Sequence, residues 1–254
     1  MIIIECDQGS PEWHDARAGV ITASMFTVAR SRTGRLNDQQ QKYVDAIRSG
    51  LSEKDAMASA GYKSAPKAQG IEKAIAGEKV GEFSEEAKNY AFRLAVERIS
   101  GKPLDEGFQT WQMKRGNELE PMARMEHEIQ SGLVVDRVGL VLTDDRAFGA
   151  SADGFIGEDV GSEYKCFLSP EKLRSFHIDN DASALFDQVQ GCMWITGRVR
   201  WHVGLYCPAL EAAGRQLWWR VFDRDDDYIN DLELDIIEFK ALVDFYESEL
   251  RMRT

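Results

Sequence analysis

After Gly132 the chain stops reading as helix and becomes a series of short β-prone runs cut by turn residues, at 133–142, 147–151, 155–156 and 162–168. Ser169-Pro170 then opens a helix, another is expected over 184–196, strands follow at 199–206 and 216–222, and a helix over 226–251 closes the chain. Upstream the signals are helical. Ser10-Pro11 reads as an N-cap followed by proline at the first helical position, and Ser24 is expected to cap a second short helix from Met25. Asn37 with Gln40, Ser52 with Asp55, and Ser64 before Pro66 predict compact helices near 38–49, 53–60 and 65–76, stopped by Gly50 and Gly61. Longer helices are expected over 84–100 and 111–130, the second perturbed by Gly116 and Pro121. This order predicts an α/β fold, a mixed central β-sheet flanked by helices, in one domain over 1–254 with a small helical insert at 37–79. With 254 residues, 43% of them hydrophobic, the chain can bury a sizeable core.

Several function classes are disfavoured by composition. Cys6, Cys166, Cys192 and Cys207 form no C-x-x-C pair, and His14, His127, His177 and His202 show no H-x₃-H spacing, so disulfides, iron–sulfur clusters and zinc sites are not expected. No early apolar run approaches the roughly 18 residues needed to span a bilayer. The first residues also lack a basic leader and a cleavage site, so a cytoplasmic protein with no membrane partner is expected. The net charge of −12 shows no basic footprint for nucleic acid. Much of the excess acid, however, lies after Asp223 on what reads as a solvated helix, and carboxylates that hold cations count as negative until the metal binds. Net charge leaves the ligand open.

Chemistry concentrates in Gly149-Ala-Ser-Ala-Asp153-Gly-Phe-Ile-Gly-Glu-Asp-Val-Gly-Ser-Glu163-Tyr164-Lys165. Alternation along a strand sends Glu163 and Lys165 to one face and Tyr164 to the other. Gly157 and Gly161 bracket a turn that can fold Asp153 back beside them. Two carboxylates and an ammonium would then converge. Phosphodiester hydrolysis uses such a set: carboxylates to hold Mg²⁺, which polarises the phosphate and acidifies water, and a cation to orient the water or offset negative charge. Taken alone, D-x₉-E-x-K fits a hairpin with a surface salt bridge as well.

Three further blocks lie in order around it: Trp13-His-Asp-Ala-Arg17-Ala-Gly19-Val-Ile-Thr22-Ala-Ser24, Arg115-Gly-Asn-Glu-Leu-Glu120-Pro-Met-Ala123-Arg124, and Gln188-Val-Gln190-Gly-Cys-Met-Trp194. With them the chain resembles the YqaJ-type viral recombinases, the family of the phage lambda exonuclease within the PD-(D/E)XK nucleases. The resemblance implies Glu120, Asp153 and Glu163 as metal-binding carboxylates, with the Tyr164 carbonyl as a further ligand. It implies Lys165 as the catalytic lysine, Gln188 as an amide positioning substrate or water, and Arg17, Ser24 and Ser151 as the 5′-phosphate site. A further family carboxylate falls at Asp144 or Asp145. Two departures stand out: Ala152 replaces the family proline, and an expected phosphate-binding arginine falls on Glu171, leaving Lys172 or Arg174 to take its place. Bland roles compete residue by residue: Glu120 as an exposed helical charge, Arg17 paired with Asp15 or Glu12, Gln188 and Gln190 as helix formers, and Trp13, Trp194, Trp218 and Trp219 as core.

The family further implies Mg²⁺ as cofactor with Mn²⁺ as a substitute, 5′-to-3′ degradation of one strand at double-stranded DNA ends, a ring-shaped homotrimer, and a single-strand annealing protein as partner in phage recombination. A phage- or prophage-encoded protein of a bacterial host follows. The segment 36–62 departs from the nuclease and resembles the helix-turn-helix of phage small terminase subunits. A recognition helix near 65–76 would carry Lys67, Gln69 and Lys73, with Lys63 before it, as a second DNA contact; a packing or partner-binding insert is the alternative. Rival readings for the whole chain are a related endonuclease or repair nuclease, and a non-catalytic DNA-binding protein built around the insert.

Overall fold

The computed structural model describes residues 1–67, 69–104, 111–166 and 169–252. Its elements are, in order, β1 (Ile2–Ile4), α1 (Pro11–Arg17), β2 (Ile21–Thr22), α2 (Phe26–Ala29), β3 (Arg32–Thr33), α3 (Asp38–Arg48), α4 (Glu53–Ala60), α5 (Gln69–Ile75), β4 (Glu82–Phe83), α6 (Glu85–Ser100), α7 (Trp111–Ser131), β5 (Leu140–Leu142), β6 (Phe148–Ala150), β7 (Gly154–Ile156), β8 (Val160–Lys165), α8 (Pro170–His177), α9 (Phe186–Thr196), β9 (Arg200–Tyr206), β10 (Leu217–Asp223) and α10 (Asp226–Met252). The chain divides into two compact units, Met1–Ala29 with Tyr90–Thr254, and Arg30–Asn89. Among the described residues, no helix is long and apolar enough to cross a membrane.

The larger unit is the expected α/β fold, with its mixed strands arranged as two four-stranded sheets, β1-β5-β6-β2 and β10-β9-β8-β7. Each contains one parallel pair, β2 with β6 and β8 with β9, among antiparallel ones. The second sheet positions the chemistry. Tyr164, Tyr206 and Leu217 from its strands pack with Leu119 and Ala123 of α7, while α9 is buried along most of its length from Val189 to Thr196. Helix α10 buries the stripe Ile229, Leu232, Ile236, Phe239 and Val243, at the three- and four-residue spacing of an amphipathic helix, and turns its acidic face outward.

Two glycines fit the hairpin β7–β8 to its surroundings. A Cβ on Gly154 would collide with Val135, and one on Gly161 would collide with the ring of buried Trp201. Gly161 therefore lies within β8 as a seat for tryptophan, whereas Gly157, at φ +58°, makes the turn. Several local expectations change. Ser10 caps α1 as expected, but Ser24 lies inside a 3-10 turn, Ala23–Met25, instead of capping a helix. Gly116 and Pro121 leave α7 continuous. Of the run 133–142 only Leu140–Leu142 forms a strand, with Asp136 bridging to Phe155; the end of the run 162–168 lies outside the described residues.

The smaller unit is a three-helix cluster closed by a two-stranded ribbon. Asn37 and Gln40 form a full capping box on α3, Ser52 caps α4, and Gly61 ends α4 in the left-handed region at φ 74°. Tyr43, Val44, Ala56, Ala60 and Ile71 make its core, and Tyr62 packs edge-on against Tyr43 at 5.8 Å. Helix α5, Gln69–Ile75, is shorter than the expected 65–76: Pro66 disfavours helical backbone at Ala65, and Pro66 and Lys67 are not helical either. Lys67 therefore precedes the helix; Lys63, Lys67 and Lys73 are all exposed. Chain entry and exit are adjacent: β3 pairs with β4, Arg32 opposite Phe83 and Thr33 opposite Glu82, and the Ser84 amide donates to the Ser31 carbonyl at 3.0 Å.

Candidate active site

Strand β8 delivers Glu163 and Lys165 to one face, where Lys165 Nζ donates to Glu163 Oε1 at 2.7 Å. The hairpin brings Asp153 beside them: its amide donates to the Ser162 carbonyl at 3.0 Å, and its Oδ2 accepts the Tyr164 amide at 2.6 Å. Asp153 and Glu163 are both buried, and Glu163 Oε2 is a buried oxygen with no hydrogen-bond partner. Glu120 enters from α7 with Arg124 3.5 Å away. Burial, then the negative charges of Glu163 and Glu120, push the Asp153 carboxyl well above its usual range. Glu120 is likewise raised, chiefly by burial. Burial opposes the Lys165 charge, but adjacent Glu163 outweighs it and holds the ammonium protonated above its usual range.

These carboxylates and Lys165 line a cavity of about 710 Å³ together with Trp111, Arg115, Asn117 and Lys172. A second cavity, of about 200 Å³, shares Asp153, Glu163 and Lys165 and is lined further by Arg17, Ser24, Ser151 and Gln188. Helix α1 positions Arg17, which donates to Ser151 Oγ at 3.0 Å and to Thr22 Oγ1 at 3.3 Å, and stacks on Trp13 at 4.1 Å. Trp13 Nε1 donates to the same Ser151 Oγ at 3.0 Å, so Trp13 is a wall of the site. Burial lowers Arg17 from its usual value, and neither Asp15 nor Glu12 is its partner in these contacts.

Other residues fall elsewhere. Asp144 pairs with the N-terminal ammonium, and Asp145 accepts from Thr143 Oγ1 and the Ala147 amide at 2.6 and 3.0 Å; neither lines these two cavities. Exposed Arg174 lies 3.9 Å from Asp179, whereas Lys172 lines the large cavity. Gln190 is buried and structural, donating to the Asp223 carbonyl and accepting the Asp225 amide, each at 3.0 Å. Gln8 was not singled out from sequence, yet it lines both cavities and donates to the Ala152 carbonyl at 2.6 Å. Its position two residues before the Ser10-Pro11 helix start was the available signal.

Behind β8, on the face opposite the carboxylates, Tyr164 ends a buried polar chain. Its hydroxyl meets His127 Nδ1 at 2.8 Å, and His127 Nε2 meets His202 Nδ1 at 3.0 Å. Burial, reinforced by His202, lowers His127 to about 4.

The donor set fits a hard divalent cation in kind: oxygen ligands, one of them a buried carboxylate oxygen without a partner, with the excess negative charge that such an ion would neutralise. Among the described residues no three acidic, histidine or cysteine side chains are already gathered as a metal cluster, so a backbone oxygen or a ligand shift would be needed to complete a coordination shell.

A mixed sheet presenting a buried aspartate, glutamate and lysine on a β-hairpin defines the nuclease-like class of fold. The model of the YqaJ-like viral recombinase domain matches residues 12–199, and the chain belongs to that family. Solved structures share the fold. An alkaline exonuclease from Laribacter hongkongensis, LHK-Exo, is 22% identical, with 96% of this chain and 97% of that one covered at a TM-score of 0.68; its complex with dAMP is 23% identical at the same coverage and score. A phage-related exonuclease from Haemophilus somnus 129PT is 16% identical, covering 90% and 99% at 0.53. No curated protein matches the chain.

Proposed function

We propose that this chain is a Mg²⁺-dependent deoxyribonuclease that degrades one strand of linear duplex DNA from its 5′ end, in phage-type recombination by single-strand annealing. One observation carries the reading: the Asp153–Glu163–Lys165 centre opens directly into a small pocket lined by Arg17, Ser24 and Ser151. A guanidinium with two hydroxyls suits a phosphate monoester, since arginine holds phosphate through charge-assisted hydrogen bonds. A terminal phosphate seated there would leave the first phosphodiester at the carboxylates. An end-directed nuclease needs that spacing; an endonuclease does not.

Glu120, Asp153, Glu163 and the Tyr164 carbonyl would hold the cation, with Mn²⁺ able to replace Mg²⁺. When bound, such an ion supplies Lewis acidity to the phosphate and offsets charge in the transition state. Lys165, kept protonated by Glu163, stabilises negative charge developing on the phosphate oxygens. Gln188 orients the attacking water or the substrate from α9. Family membership and the dAMP complex of LHK-Exo support a nucleotide product. A homotrimer around DNA, an annealing-protein partner and action in the cytoplasm of a bacterial host complete the proposal.

The test is digestion of linear duplex labelled at either end, with and without a 5′-phosphate, against a closed circle. Shortening from 5′ ends alone is the expected result. Cutting of the circle would replace this reading with an endonuclease, and inertness in Mg²⁺ and Mn²⁺ would remove the nuclease.

A further inference from the structure

The two cavities share Gln8, Trp13, Asp153, Glu163 and Lys165, so the carboxylate–lysine centre lies where they meet. Any strand reacting there extends into both. The small one is of phosphate size, whereas about 710 Å³ accommodates a nucleotide. If the 5′-phosphate occupies the first, the strand 3′ of the cleaved bond runs through the second. Among the described residues, the cations on that wall beyond Lys165 are Arg115 and Lys172.

Arg115, on the early turns of α7, is half-buried, and its Nε is buried without a hydrogen-bond partner. Among the described residues no ion pair engages it, and Arg124 takes the neighbouring Glu120. The guanidinium faces the Trp111 ring at 5.7 Å. A buried donor without a partner is costly, and a guanidinium fork matches phosphate oxygens two at a time. On α8, Arg174 is turned to Asp179.

We propose that Arg115 binds the phosphodiester immediately 3′ of the cleaved one, positioning the strand that remains. The proposal rests on the nuclease reading above. It assigns Arg115 no contact with the reacting atoms.

The experiment is a cycle of protein and DNA changes. 5′-Phosphorylated duplexes carry either a normal phosphodiester or a neutral methylphosphonate at the linkage 3′ of the first cleavable one, and are offered to wild type, Arg115→Gln and Arg115→Lys. Wild type should lose roughly tenfold to a hundredfold in kcat/KM on the methylphosphonate, the scale of a lost charged hydrogen bond. Arg115→Gln should lose about as much on normal DNA, and no more on the methylphosphonate. Arg115→Lys should recover part of the discrimination. A merely structural role would slow both substrates while preserving the methylphosphonate penalty, and that result overturns the proposal alone. A wild type inert on every DNA end would overturn the nuclease reading and this proposal with it.

Discussion

Acidification should weaken the folded protein through His127 in a way one substitution can isolate. Its ring is fully buried between Tyr164 and His202 and stays neutral down to about pH 4, whereas an unfolded histidine protonates near 6.5. Folding therefore excludes a proton between these values. The associated stability is fully present above pH 6.5 and is lost as pH falls toward 4. Between pH 7.5 and 5.5 the loss from this residue is about 1 kcal/mol, because at pH 5.5 the unfolded ring is mostly charged and the folded one is not. Urea unfolding followed by tryptophan fluorescence at both pH values, in wild type and His127→Gln, gives the comparison. The variant should lose stability at pH 7.5, by roughly 1–3 kcal/mol for a buried partner left unpaired, yet fall less on going to pH 5.5. Parallel losses in the two proteins would refute the assignment of a neutral buried imidazole.

Three further outcomes are expected. Lys165→Ala and Glu163→Gln should each lower kcat by about 10²–10³ while leaving a cooperative melting transition; near-normal turnover by either purified variant would remove that residue from the mechanism. Arg17→Ala should slow digestion of 5′-phosphorylated duplex far more than of 5′-hydroxyl duplex, and equal slowing would reduce Arg17 to a structural or general backbone contact. If the insert grips DNA, Lys63, Lys67 and Lys73 changed together to Ala should weaken binding of long duplex in Ca²⁺ and flatten its salt dependence, each lost phosphate contact contributing roughly 0.9 to the log–log slope; unchanged affinity and slope would leave the insert as a packing or protein-docking element.

Features governed by neighbours in sequence were readable in advance. Alternation alone places Glu163 and Lys165 opposite the Tyr164 side chain, and they meet at 2.7 Å. Local hydrogen bonding likewise announces the caps at Ser10 and Asn37. What escaped depends on distant partners. Strands of two or three residues, such as β1 and β2, are too short to show a period and exist because β5 and β6 pair with them. Gly161 read as a turn residue because nothing local reveals that Trp201 packs against its missing Cβ. Pro121 sits inside a continuous helix despite the break its ring suggests, packing by Leu119 and Ala123 holding that stretch against the sheet. Arg115 was visible only as part of the Glu120 block; its place in the cavity comes from the turn of α7.

The ribbon of β3 and β4 has an evolutionary and practical corollary. Because residues 33 and 82 face one another across it, everything between them is a cassette whose two ends already touch. Such a segment can be gained, lost or exchanged in a single event without stretching the flanking backbone, and closing the gap calls only for a tight hairpin turn. A protein trimmed in this way would keep Arg17, Ser24, Glu120, Ser151, Asp153, Glu163 and Lys165, all of which lie outside 34–81, and a foreign DNA- or protein-binding module could be spliced into the same two points.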